Sequence, residues 1–398
     1  MAIADDIYGS KESLWAIDLE PGALFGVGSR KKTGERLKGY GATSVLLVCD
    51  LAMEKLGYAE ELTEIIKASG IEVFQYAIEP KEPTSTECNN CVAFARKHTI
   101  DGIVGLGGGS AIDVAKMTGL VLANGGKTEN YLGYGTDYSK TKTFRPVIAL
   151  PTTSGTGAEV STALAIEDDT KNIKAIGMHR ATFAIVDPSY TVGLPKEVTA
   201  NTGIDALSHA LDSVCNTAGM RNWLADALSY EGMRVCHKWL PVAYEDSDNL
   251  EARSWMSYAA MVGGYILKLR RCSWAHAFAN KVSDRYHLPH GVGCSLGLYG
   301  LVRYNVTENP EANRIIARSF GVDCPEGADM VEVGKKLVKA TDDLQKRVGM
   351  KTMKEAGLDK GFIDDAIDKI KNDGKWKLVP NVPNFEVMAK SIYEAFEM

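Results

Sequence analysis

Residues 102–116 read GIVGLGGGSAIDVAK. An apolar, β-rich run, Gly102–Gly107, meets the consecutive glycines Gly107, Gly108 and Gly109, and Ser110 then opens a helical pattern. Glycine lets a backbone approach a pyrophosphate closely, and a helix N-terminus offers unpaired N–H groups with partial positive charge. The stretch therefore reads as a strand, a turn and a helix of a parallel α/β sheet, with a candidate phosphate cradle at the turn. A tight turn with no ligand would have the same glycines.

The same alternation extends on both sides. Candidate strands are Ser44–Asp50, Ile71–Ala77, Pro146–Pro151 and Phe183–Pro188, with helices beginning near Thr84 and Ser110. This predicts a doubly wound α/β half. After Leu194-Pro195 the β-like runs nearly vanish, and segments such as TGIDALSHALDSV, NWLADALSYEGMRVCHKWL and RSWMSYAAMVGGYIL read as helices. At 398 residues the chain exceeds what one core usually organises, so we expect an α/β domain over 1–195 and an all-helical domain over 196–398.

Composition excludes several classes. Hydrophobic residues at 45% and charged residues at 24% describe an ordinary globular chain rather than a disordered one. A net charge of −6 gives no basic field for nucleic acid or an anionic membrane surface. The opening MAIADDIYGSKESLW lacks a basic-then-apolar leader, and no apolar run reaches the about 18 residues of a membrane span. A cytoplasmic location is the expectation. The 8 cysteines form no short-spaced framework, which suits reduced thiols. Cys88 and Cys91 make one CxxC with no second pair, and read as small buried thiols on a helix rather than zinc ligands.

A second loop, Pro151-Thr-Thr-Ser-Gly-Thr-Gly157, follows the next strand with hydroxyls suited to phosphate or ribose oxygens. Ligands in open α/β sheets sit beyond the carboxyl ends of strands, where both loops fall. Asp50 ends the strand VLLVCD. Its carboxylate either accepts hydrogen bonds from an adenosine ribose, favouring NAD over NADP, or caps the following helix.

In the helical half, Asp205 and His209 stand four residues apart in GIDALSHAL, on one helical face. His276 and His290 follow in WAHAFANKVSDRYHLPHG, with His287 a rival to His290. One aspartate with three histidines is a mixed oxygen and nitrogen set suited to Fe(II) or Zn(II). Each histidine alone would more simply be a hydrogen-bonded core or surface residue.

These segments, taken with FGVGSRKKTGERLKGYGATSVLLVCD, PTTSGTGAEV and LPHGVG in the same order, resemble the iron-containing, group III alcohol dehydrogenases over nearly the whole chain. The resemblance implies a Rossmann-like nucleotide-binding domain followed by an all-α metal-binding domain, the architecture shared with dehydroquinate synthase. It implies that Gly107, Gly108, Gly109 and Ser110 bind a pyrophosphate, that Thr152, Thr153, Thr156 and Lys174 line NAD(H), and that Asp50 faces the ribose. It assigns Asp205, His209, His276 and His290 to one divalent metal, Fe(II) foremost with Zn(II) or Mn(II) as substitutes, and leaves His287 outside. A homodimer or larger homo-oligomer is also implied.

Two departures stand out. Many members carry a further histidine four residues after the third ligand, where this chain has Asn280; an amide can hydrogen-bond a substrate but cannot carry a proton near neutral pH. Before that ligand stands Lys268-Leu-Arg-Arg-Cys-Ser-Trp274, whose cations need partners in an otherwise apolar helix. Arg270 or Arg271, with Cys272 beside them, would hold an anionic substrate through a bidentate fork, or would form an intersubunit or interdomain salt bridge, or the helix would turn its charged side to water.

The expected activity is NAD(H)- and metal-dependent interconversion of a small primary alcohol and its aldehyde, in a cleft between the two halves. Alternatives are a reductase for a small anionic aldehyde, such as sulfoacetaldehyde, phosphonoacetaldehyde or succinic semialdehyde, a dehydroquinate-synthase-like lyase, and a non-catalytic oligomeric protein.

Overall fold

The structure, a computed structural model, describes residues 17–79, 81–133, 136–144, 146–171, 173–216, 222–270, 272–373 and 382–398. The chain forms two compact units, one containing Leu19–Thr153 and Gly157–Val192, the other Ser154–Thr156 and Gly193–Met398.

The first unit contains β1 (Gly22–Phe25), α1 (Thr33–Gly39), β2 (Ser44–Asp50), α2 (Leu51–Lys55), α3 (Tyr58–Lys67), β3 (Glu72–Ile78), α4 (Ser85–Ala95), β4 (Gly102–Gly107), α5 (Gly109–Asn124), β5 (Val147–Pro151), β6 (Ala163–Asp168), β7 (Ile173–Met178) and β8 (Phe183–Val186). Six strands make one parallel sheet in the order β1-β8-β5-β4-β2-β3. Alternate residues of β2 feed opposite faces: Leu46 and Val48 pack with α4 and α5, whereas Val45, Leu47 and Cys49 pack with α1 and α3. Burial on both faces explains why this strand reads as an unbroken apolar run.

Three strands lie outside the sequence expectation. β1 is a short edge strand of mixed exposure, and β6 and β7 form a separate antiparallel pair. All three keep several half-exposed residues, so their apolar signal is weak.

α5 is buried almost throughout, including two charged residues. The Lys116 ammonium donates to the carbonyls of Ala158, Ser161 and Ala163 at 2.9, 3.3 and 3.1 Å, and pairs with Asp113 at 3.4 Å. The lysine of GGGSAIDVAK thus ties the chain after the second loop to the helix after the first. Charge buried this deeply requires such partners.

The second unit is helical: α6 (Lys196–Cys215), α7 (Trp223–Glu245), α8 (Leu250–Leu269), α9 (Trp274–Tyr286), α10 (His290–Glu308), α11 (Pro310–Phe320), α12 (Met330–Arg347), α13 (Lys360–Lys371) and α14 (Phe385–Phe396). Their apolar faces share one core. Among the described residues, no helix is long and apolar enough to cross a membrane. α10 was poorly legible because it carries Gly291, Gly293, Gly297 and Gly300, which lower helix propensity. Packing accounts for them. A Cβ at Gly293 would stand 2.7 Å from the Ala279 carbonyl, and one at Gly297 2.6 Å from the Ala275 carbonyl, so α10 and α9 meet backbone to backbone. Gly291 is pressed in the same way against the Asn201 carbonyl of α6.

Candidate metal centre and nucleotide-binding turn

In the α/β unit, β2 and β4 are neighbours, and from this pair the chain builds outward to β3 on one side and to β5 on the other. Such a reversal leaves a crevice beyond the carboxyl ends of the strands. Register pairs Cys49 with Leu106 and Gly107 with Pro151, so Asp50, the glycine turn and Thr152 share that end of the sheet. Gly107 has φ 151°, and a Cβ there would stand 2.7 Å from Asp50 Oδ2 and 2.8 Å from Ala111 Cβ. Only glycine fits. Gly108 is the N-cap of α5 and supplies no side-chain cap to its first amides, at Gly109 and Ser110. The Thr152 amide donates to the Gly107 carbonyl at 3.0 Å, and its buried hydroxyl has no hydrogen-bond partner among the described residues. Thr153 Oγ1 lies 3.6 Å from where a Gly108 Cβ would be. Free helix amides and an unspent buried hydroxyl at one strand end suit a nucleotide phosphate.

Asp50 does cap the next helix: its Oδ1 accepts from the amides of Ala52 and Met53 at 3.0 and 3.1 Å. Burial raises its carboxyl above the ordinary range, opposed by backbone hydrogen bonds from Met53, Gly108 and Ala52. Lys174 lies on β7, and its ammonium pairs with Glu82 at 2.9 Å. Thr156 falls in the segment grouped with the helical unit, where the adjacent Gly155 packs on Thr202.

In the helical unit, α6 is buried from Gly203 to Cys215, yet it carries Asp205, His209 and Asp212 along one face. Buried polar side chains need partners, and theirs come from α9 and α10. The Asp205 Oδ1 atom lies 3.5 Å from His209 Nε2 and 3.8 Å from His290 Nε2. The rings of His209 and His276 stack with centroids 5.1 Å apart. Asp205, His276 and His290 share a donor group within 4.8 Å with a residue that sequence reasoning passed over, Cys294. A second group within the same distance joins His209, Cys272 and His276. Donors bonded at about 2.0–2.3 Å to a common centre stand roughly 3.3–3.7 Å apart, close to the spacing seen here.

Electrostatics divides the cluster: against the burial that would lower it, Cys272, Cys294 and Asp212 hold the His276 imidazolium well above its ordinary range. Burial pushes the His209 imidazolium down to about 4, so its ring is neutral with a lone pair to give. Burial opposes the Asp205 carboxylate, but His209, His290 and His276 together hold it below its usual range. The His276 Nδ1–H donates to Asp212 Oδ2 at 2.8 Å, while Ser273 Oγ donates to the other carboxylate oxygen. This fixes the imidazole so that Nε2 faces the cluster. Asp212 was also missed, although it lies seven residues after Asp205 on the same face.

His287 adopts the left-handed region at the C-cap of α9, φ 52°, and belongs to neither donor group. Asn280 is one turn beyond His276 on α9. Arg270 is not free to act as an open fork: its Nη1 donates to Asp226 at 3.1 Å and its Nη2 to the Asn216 carbonyl. The pair lies inside one unit, so it is neither the open anion fork nor the intersubunit or interdomain bridge expected as its alternative. Lys268 likewise pairs with Asp18, at 3.4 Å. Arg271 lies outside the described residues.

A nucleotide-type crevice and a buried cluster of metal-binding side chains, carried in one chain, define an enzyme of metal-assisted redox chemistry. The chain belongs to the iron-containing alcohol dehydrogenase family. The family profile, "Iron-containing alcohol dehydrogenase", matches residues 21–188, and that of the family's C-terminal region matches 199–395. Among relatives, the NAD-dependent methanol dehydrogenase of Bacillus methanolicus is 30% identical over 335 residues, covering 83% of this chain and 86% of that protein. The sulfoacetaldehyde reductase of Bilophila wadsworthia is 33% identical over 298 residues, covering 74% of this chain and 76% of its own length. The crystal structure of a 1,3-propanediol oxidoreductase superposes with TM-score 0.89 at 27% identity, covering 96% of this chain and all of its own. Family membership sets aside the lyase and non-catalytic readings.

Proposed function

We propose that the protein interconverts a small primary alcohol and its aldehyde with NAD(H), using one divalent cation held by Asp205, His209, His276 and His290. Fe(II) is the expected ion, with Zn(II) and Mn(II) as substitutes. The observation that carries the reading is the convergence of His209 and His290 Nε2 on Asp205 Oδ1, at 3.5 and 3.8 Å. The named relatives support NAD(H) and the alcohol–aldehyde couple.

When bound, the cation supplies Lewis acidity toward the substrate oxygen and the nicotinamide gives or takes the hydride. The chain's own residues do the rest. Asp205 contributes negative charge, the neutral His209 a lone pair, and Asp212 holds the proton of His276 on Nδ1. Gly107, Gly108, Gly109 and Ser110 receive the pyrophosphate on backbone amides, and Thr152, Thr153, Thr156, Lys174 and Asp50 line the rest of the nucleotide. Asn280 orients substrate by hydrogen bonding, so the proton of aldehyde reduction comes from water or the ribose hydroxyls. Residues 1–195 serve the nucleotide and 196–398 the metal, in a cytoplasmic homodimer or larger homo-oligomer.

The test is NADH oxidation by Fe(II)-loaded protein with paired aldehydes of similar size. The neutral set is acetaldehyde, propionaldehyde and lactaldehyde; the anionic set is sulfoacetaldehyde, phosphonoacetaldehyde and succinic semialdehyde. Turnover of the neutral set is expected, and turnover of neither set with Fe(II), Zn(II) or Mn(II) overturns the proposal. A second reading, an anionic-aldehyde reductase, is favoured by the sulfoacetaldehyde reductase relative. The engagement of Arg270 by Asp226 weighs against that arginine as its anion receptor.

A further inference from the structure

Cys294 lies on α10, one turn after His290, and is 2% exposed. Its Sγ stands 3.4 Å from His290 Nε2, 3.5 Å from Asp205 Oδ1 and 3.8 Å from His276 Nε2. One S–H proton can serve only one of these atoms. Asp205 Oδ1 is a carboxylate oxygen, and His276, its Nδ1–H held by Asp212, turns Nε2 inward. Four side chains, each with one possible ligand atom, thus lie within 4.8 Å of one another, which is the arrangement of a cation site.

We propose that Cys294 is itself a donor to the cation, giving this chain a mixed oxygen, nitrogen and sulfur set instead of the oxygen and nitrogen set anticipated from the sequence. The proposal rests on the metal-dependent reading above. On binding, the S–H bond breaks, its proton leaves to solvent, and the sulfur lone pair is shared with the cation without change of oxidation state. Thiolate is a soft ligand and favours Zn(II) and Co(II) over Mn(II). Cys272 is the control, since it lies in the other donor group, with His209 and His276.

The experiment is titration of the metal-free, full-length protein with Co(II), followed by absorption spectroscopy. Expected are stoichiometric binding and an intense near-ultraviolet sulfur-to-cobalt charge-transfer band that survives in Cys272→Ser and is lost in Cys294→Ser. Stoichiometric binding with only weak visible bands overturns the sulfur donor while leaving the metal site standing. Loss of the band in Cys272→Ser with retention in Cys294→Ser also overturns it. Absence of stoichiometric binding removes both the metal reading and this one. Should Cys294→Ser fail to fold, the wild-type and Cys272→Ser spectra still decide, because the other thiols belong to neither donor group.

Discussion

Asp212 holds His276 by a 2.8 Å hydrogen bond from Nδ1, so a carboxylate that sits outside the donor group sets the direction of a ring within it. Replacing it tests orientation apart from coordination. Asp212→Asn should weaken metal binding by roughly 10–100-fold while the far-ultraviolet circular dichroism stays unchanged. Equilibrium dialysis with Zn(II) measures this, and unchanged affinity would remove the positioning role.

Gly107 shares its space with the Asp50 carboxylate, 2.7 Å from where a Cβ would be. Gly107→Ala should therefore displace Asp50 or the first turn of α5. We expect NADH affinity, read by fluorescence titration, to fall at least about tenfold, a cost near 1.4 kcal/mol, with metal content unaffected. Equal affinity in the variant would show that the turn carries no nucleotide.

Arg270 and Asp226 form an ion pair in which each side chain is 4% exposed. Removing one partner leaves the other charge buried alone. Arg270→Ala should destabilise the protein by about 3–5 kcal/mol in urea unfolding, while the KM ratio between anionic and neutral aldehydes stays constant. A KM that rises only for anionic aldehydes would instead make Arg270 a substrate residue.

Glu159 is 2% exposed, and burial raises its carboxyl from 4.5 to about 7. Across that interval the folded state keeps a proton that the unfolded chain has lost, so stability falls as pH rises and levels off above about 7. The full effect is on the order of 3 kcal/mol, and Glu159→Gln should abolish it. Urea midpoints at several pH values measure the slope; an identical slope in the variant would place the titration elsewhere.

The parts of this molecule legible in sequence are those where a local rule and the tertiary outcome agree. Gly105–Ser110 announces a strand-to-helix turn because three glycines have few other uses there, and the Asp205–His209 spacing announces a shared helical face. What was not legible depends on neighbours distant in the chain. Cys294 becomes a candidate donor only once α9 and α10 are in contact, and Asp212 acquires its role from a histidine on another helix. The cations before Trp274 left an anion pocket and a structural role both open because Asp226, the partner of Arg270, lies 44 residues upstream. β6 and β7 escaped notice because neither belongs to the main sheet.

The bare backbone contact of α9 with α10, at Gly293 and Gly297, has a kinetic consequence. Helices that touch through main chain cannot slide or swing as helices cushioned by flexible side chains can, so His276 and His290 are registered before any ion arrives. Filling the site then recruits little new order, and exchanging one ion for another is limited by the making and breaking of coordination bonds. Amide hydrogen exchange along both helices should accordingly be nearly the same with and without metal.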